Sequence, residues 1–86
     1  MPVVRLRAPL AELAGGRREL ELEGRTLHEV LLALEREHPD LTGWIMDEHK
    51  RIREHVNVFV NGARGSESTP VSPEDRIHVI PSISGG

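Results

Sequence analysis

Val3-Val4-Arg5-Leu6-Arg7 and Glu19-Leu20-Glu21-Leu22-Glu23 alternate apolar with charged residues, the period-two pattern of strands with one dry face. Paired as an antiparallel hairpin, they set Arg5 and Arg7 on the same outer face as Glu19, Glu21 and Glu23. Opposite charges across such a ladder contribute roughly 0.2–1 kcal/mol each. The connection over residues 8–18 contains Pro9 and Gly15-Gly16 and has room for a short turn around Leu10-Ala11-Glu12-Leu13. After Gly24 the period changes. Leu27, Val30, Leu31 and Leu34 fall at i, i+3, i+4 and i+7, with His28, Glu29, Glu35 and Arg36 expected to point away from that stripe. Thr26 with Glu29 three residues later is a capping box, and Pro39 closes the segment. The spacing predicts an amphipathic helix of about three turns beginning at Leu27.

The signal over residues 41–55 is mixed. Trp44-Ile45-Met46 predicts a buried turn with Trp44 in the core, and Asp47-Glu48-His49-Lys50-Arg51 predicts a solvated loop. Val56-Asn57-Val58-Phe59-Val60 is the clearest strand, followed by the turn dipeptide Asn61-Gly62. Residues 63–69 allow only a short edge strand, and residues 70–75 form a turn-rich link. Arg76-Ile77-His78-Val79-Ile80 is the last strand, ended by Pro81. One helix with one apolar stripe buries that stripe against one sheet face. The expectation is an α+β, β-grasp (ubiquitin-like) domain over residues 1–80, with a mixed sheet of four to five strands and the first and last strands as central neighbours. Residues 81–86 are expected to be a flexible C-terminal tail.

Composition narrows the chemistry. At 86 residues and 9.6 kDa the chain fits one domain, whose thin core leaves little room for an enclosed substrate cavity. It has no cysteine, which excludes disulfides, thiolate metal sites and cysteine nucleophiles. Eleven Lys and Arg against fourteen Asp and Glu give a net charge of −3, which disfavours nucleic acid as a partner. With no leader-like segment and no apolar run of about 20 residues, no membrane association and a cytoplasmic location are expected. The five histidines, at 28, 38, 49, 55 and 78, include no i, i+4 pair, so no metal site is expected. The serines sit in turn or tail contexts, and Glu19, Glu21 and Glu23 read as a strand's outer face rather than an acid/base pair. No catalytic constellation remains.

The C-terminal segment is the unusual feature. After Pro81-Ser82-Ile83-Ser84 come Gly85 and Gly86, so no side chain lies beyond Ser84 and a carboxylate at Gly86 could enter a cleft that any Cβ would block. The tail can extend about 20 Å. This segment resembles the C-terminus of the ubiquitin-like sulfur carriers of the MoaD/ThiS family, and Val56-Asn57-Val58-Phe59-Val60-Asn61-Gly62 resembles the strand and turn before their final hairpin. The resemblance implies a carrier or co-substrate that is not itself a catalyst and binds no cofactor: an E1-like adenylyltransferase/sulfurtransferase uses ATP and Mg²⁺ to adenylate its Gly86 carboxylate, which a sulfur donor converts to a thiocarboxylate. Gly86 would carry the reactive carbonyl, and Gly85, Ser84 and Ile83 would give access to it. Met46-Asp47 and the Val-Phe-Val strand look most like the CysO-type branch, which serves a PLP-dependent cysteine synthase. The MoaD-type branch, paired with the molybdopterin synthase large subunit, is nearly as close.

Two alternatives stand beside the carrier reading. One is a ubiquitin-like modifier conjugated through Gly86 to lysines, and the other is a β-grasp interaction module without sulfur chemistry. Strand parity places Phe59 and Ile80 together on the sheet's outer face near the root of the tail, a candidate docking pair of exposed apolar residues. Ten of the eleven cations are arginine, whose guanidinium stays protonated and is a poor nucleophile. Self-conjugation of a modifier could therefore use only Lys50, which the solvated loop would leave reachable.

Overall fold

The computed structural model describes residues 1–81. Five strands and two α-helices follow in the order β1 (Val3–Leu6), α1 (Leu10–Leu13), β2 (Glu19–Glu21), α2 (Leu27–Glu37), β3 (Val56–Val60), β4 (Ala63–Arg64) and β5 (Arg76–Pro81), with a 3-10 turn at Pro39–Leu41. The sheet order is β2-β1-β5-β3-β4. β1 and β5 are parallel central neighbours, while the β1–β2, β3–β5 and β3–β4 pairs are antiparallel. This mixed sheet with α2 across one face is the β-grasp arrangement expected from the order of strand and helix patterns.

Alternation along the strands decides which side is dry. Val4, Leu6, Leu20, Val58, Ile77 and Val79 are buried, and they pack in one core with Leu27, Val30, Leu31 and Leu34 of α2. The helix starts where the capping residues put it: Thr26 Oγ1 accepts a hydrogen bond from Glu29 N at 3.2 Å. The Glu29 carboxylate accepts from Arg25 N at 3.1 Å, one residue further back than the usual reciprocal bond. Two more donors of the first turn are satisfied from across the fold, Leu27 N by the Thr69 carbonyl and His28 N by the Glu67 carbonyl. The β3–β4 turn carries positive φ at both Asn61 (52°) and Gly62 (87°), as a two-residue type I′ connection requires. Asn61 also ties the turn to β5, its Nδ2 donating to Asp75 Oδ1 at 2.8 Å and its Oδ1 accepting from Arg76 N at 2.9 Å.

The structure corrects four expectations. Trp44 is 48% exposed, whereas Ile45 and Met46 are fully buried. The backbone turns at Gly43 (φ 87°), and the Met46–Ile52 bridge with the Arg53 N to Ile45 carbonyl bond fixes the next two residues inward. Three successive side chains leaving a turn cannot share one direction, and the Trp is the one left in solvent. Glu35 does not face away from the core side of α2; it is only 6% exposed, because the Lys50 ammonium reaches it at 2.9 Å. The loop at residues 47–51 is therefore only partly solvated. Finally, β5 runs through Pro81, which pairs with Val56; at a strand's last residue the missing N–H interrupts no further ladder.

Candidate functional site

The outer sheet face and the end of β5 form the candidate site. Register lines up one row across the whole sheet: Glu19 opposite Arg5, Arg5 opposite His78, His78 opposite Phe59, and Phe59 opposite Arg64. The next row toward the tail pairs Ile80 with Asn57. Phe59 and Ile80 thus share the outer face, as strand parity predicts, but they are diagonal neighbours rather than direct partners, about 7–8 Å apart in such a ladder. Both are half-buried rather than open. His78 and Arg64 are the cross-strand partners on either side of Phe59.

A cleft of about 420 Å³ opens between the ends of β1 and β5 and the start of α1, lined by Arg5, Arg7, Arg18, Glu12, His78 and Ile80 among others. Three arginines and one carboxylate line it, in a chain whose net charge is −3. Arg5 is shared with Glu19, its Nε 3.4 Å from the carboxylate, both side chains being well exposed. The cleft abuts Ile80, one residue before the last described residue. Ile83, Ser84, Gly85 and Gly86, the tail residues singled out in the sequence, lie outside the described residues.

The cleft's Arg18 and Glu12 were not evident from the strand patterns, because they belong to the α1 connection, where no periodicity points. The available signal was local: arginines at 5, 7 and 18 flank the two strand ends that a hairpin must bring together. The carboxylates held below their ordinary range lie elsewhere. Asp47 is lowered chiefly by the Arg51 backbone N–H, Glu67 by the Ile52 backbone N–H, and Asp75 by the Ser72 backbone N–H. Each of these carboxylates braces a loop through hydrogen bonds to backbone donors. Among the described residues, no group of three or more His, Asp or Glu side chains gathers in a metal-binding arrangement, and no helix is long and apolar enough to cross a membrane. The site offers an outer sheet face and an arginine-lined cleft beside Ile80.

Comparison with known proteins agrees with that description. The ThiS family model matches residues 4–86. Small archaeal modifier protein 1 of Haloferax volcanii is 31% identical over 84 residues, covering 95% of this chain and 97% of that protein. The crystal structure of the same modifier superposes with a TM-score of 0.84 at 30% identity, over 99% of this chain and 98% of that one. A chain from the Amycolatopsis orientalis BexX/CysO complex superposes with a TM-score of 0.90, over 100% of both chains, at 23% identity; that likeness concerns the fold. The chain belongs to the ThiS family, the small ubiquitin-like sulfur carriers and modifiers.

Proposed function

We propose that this protein is a sulfur carrier whose Gly86 carboxylate is the working group. The observation that carries the reading is the family match continuing through residue 86, so that it takes in the Gly85-Gly86 segment as well as the folded domain. A free carboxylate is a poor electrophile. An E1-like partner using ATP and Mg²⁺ would join the Gly86 carboxylate to AMP with loss of pyrophosphate. Hydrosulfide would then add to the carbonyl and expel AMP with release of a proton, leaving a thiocarboxylate. Such a group is a soft nucleophile made without any cysteine in the chain, in keeping with a sequence that has none. A biosynthetic acceptor, a PLP-dependent cysteine synthase or the large subunit of a molybdopterin synthase, would take the sulfur, and water would break the carbon–sulfur bond and restore the carboxylate.

In this reading the folded domain supplies recognition. Phe59 and Ile80 form the apolar part of the docking face. The arginine-lined cleft beside Ile80 favours a partner surface rich in carboxylates and draws it to the root of the tail. A second reading, conjugation through Gly86 to lysines of other proteins, is favoured by the 31% identity to small archaeal modifier protein 1.

Intact mass distinguishes the two. After incubation with activating enzyme, ATP and a sulfur source, exchange of one carboxylate oxygen for sulfur adds ~16 Da, whereas conjugation adds the mass of a whole protein. Deleting Gly86, or replacing Gly85 by a bulky residue, should abolish either product while leaving the melting temperature nearly unchanged. A Gly86 deletion that still gains ~16 Da would overturn the carboxylate mechanism.

A further inference from the structure

A chain that carries an activated acyl group at one end is exposed to every nucleophile on other copies of itself. This sequence has no cysteine and one lysine, Lys50, and its arginines stay protonated. Lys50 is therefore the single side-chain amine, and the structure gives it an unusual partner. Asp47 Oδ1 accepts from the backbone N–H groups of His49 at 2.8 Å and Arg51 at 3.0 Å, closing a tight turn in which Lys50 takes φ 61°. The turn sends the ammonium group to α2, where Nζ lies 2.9 Å from Glu35 Oε1. Glu35 is 6% exposed, and its other oxygen, Oε2, is buried without a hydrogen-bond partner. Among the described residues Lys50 is the only cation within ion-pair distance of this carboxylate.

We propose that Glu35 withholds Lys50 from acyl transfer, so that the chain resists becoming an acceptor for its own activated end. Acylation needs the nitrogen lone pair, and a nitrogen bound as ammonium against Glu35 has none to offer until it leaves the pair and gives up a proton. In the reaction the amine nitrogen bonds to the carbonyl carbon. The bond from that carbon to its leaving group, an adenylate or a thiolate, breaks, and the proton goes to solvent. The product is a neutral amide. The Glu35 carboxylate, 6% exposed, would then remain buried with no counter-charge, and an uncompensated buried charge is destabilising. The pair thus opposes both the approach to reaction and its product. The Lys50 side chain itself is 43% exposed, so what withholds the amine is the ion pair and not burial. The consequence for self-conjugation rests on the reading that Gly86 is activated; the low reactivity of Lys50 does not.

The test acetylates the full chain with N-hydroxysuccinimidyl acetate and follows Lys50 by peptide mapping, beside a synthetic peptide of residues 47–53 as the unguarded reference. Lys50 in the folded protein should react at least tenfold more slowly than in the peptide. Glu35→Gln, which keeps the shape and removes the charge, should bring the rate to within about threefold of the peptide's. Glu35→Leu, which replaces the buried carboxylate by an apolar group, should do the same, so a folding failure in one variant leaves the other to decide; circular dichroism establishes which is folded. Equal rates for folded wild type and peptide, or a slow Lys50 persisting in a folded Glu35 variant, would overturn the proposal. No activating enzyme enters this assay. Separately, a chain whose Gly86 never accepts AMP would overturn the proposed function while leaving the guarded lysine standing.

Discussion

The two faces of one sheet are built from alternate residues of the same strands, yet they answer to different demands. On the helix side Val4, Val58, Ile77 and Val79 are at most 1% exposed. On the other side Arg5, His78, Phe59 and Ile80 are half-buried or exposed. The inner face must match the shape of α2, and any lost methyl leaves a void in a close-packed interior. The outer face has no covering layer among the described residues, so its side chains are free to be selected for what they meet in a partner. In a chain of 86 residues the period of two is the device that keeps the core-facing and outward-facing side chains apart.

The sharpest way to break this comparison is to truncate neighbours on opposite faces. Ile77→Ala should cost about 3 kcal/mol and Val58→Ala about 2 kcal/mol of unfolding free energy, because both residues sit in the core that faces α2. Arg76→Ala, next to Ile77 and exposed, should cost no more than about 0.5 kcal/mol. Urea denaturation of the three variants measures all of this. Were Arg76→Ala to destabilise as much as Ile77→Ala, the division between faces would be wrong.

Phe59→Ala reads the outer face from the other direction. The ring is half-buried, so its loss should cost about 1 kcal/mol of stability, less than Val58→Ala. Binding to an activating or acceptor enzyme should fall at least about tenfold, the loss typical of an aromatic anchor in an interface centre. Titration calorimetry against a reconstituted partner, paired with a melt, separates the two effects. A variant that binds normally but unfolds more readily than Val58→Ala would make Phe59 a core residue and remove the docking face.

These face assignments were legible because they rest on local spacing. The Thr26 cap, the Leu27–Glu37 helix, the strand at Val56–Val60 and the Asn61-Gly62 turn are each specified within a few residues. Residues 42–55 were not legible in the same way. Nothing in Trp44-Ile45-Met46 says which of three large side chains a turn will leave outside. Nothing in the helix pattern says that Glu35 will be covered by a lysine fifteen residues away. Such contacts form only once the chain has folded, so they leave no period to read. The placement of Phe59 and Ile80, the proposed docking pair, was half legible: parity put both on one face, while the register that sets them diagonally depends on how β3 and β5 align. Gly85 and Gly86 were legible as a chemical oddity of the sequence alone.

A pH titration should sharpen the contrast further, since the acid-sensitive groups belong to loops rather than to either sheet face. Glu67 Oε2 accepts from Ile52 N at 2.7 Å, and that bond is the main reason its carboxyl sits below the ordinary 4.5. A folded pKa below the unfolded one gives stability that is complete above about pH 4.5 and drains away as pH falls through the lowered value. Asp47 and Asp75 act in the same direction from an ordinary value of 3.8. The melting temperature should therefore hold steady from pH 7 to pH 5 and fall below pH 4.5, with a shallower fall in Glu67→Gln. A melting temperature that rises on acidification, or an unchanged slope in Glu67→Gln, would contradict these assignments.

The smallest effect tests whether charge on the outer face does anything for the fold. Arg5 and Glu19 face each other across β1 and β2 with Nε 3.4 Å from the carboxylate, each side chain 58% exposed. Exposed pairs of this kind contribute about 0.2–1 kcal/mol, and salt screens them. A double-mutant cycle with Arg5→Gln and Glu19→Gln should give a coupling below about 0.5 kcal/mol that vanishes by about 1 M salt, where the screening length is near 3 Å. The pair would then matter less for stability than for position. Arg5 also lines the cleft beside Ile80, and Glu19 restrains a guanidinium that a partner's carboxylate could otherwise claim. If so, Glu19→Gln should leave the fold untouched and strengthen association with an acidic partner, most visibly at low salt. A coupling of 2 kcal/mol or more would instead make the outer face a structural element in its own right, and the clean separation between the two faces would not survive it.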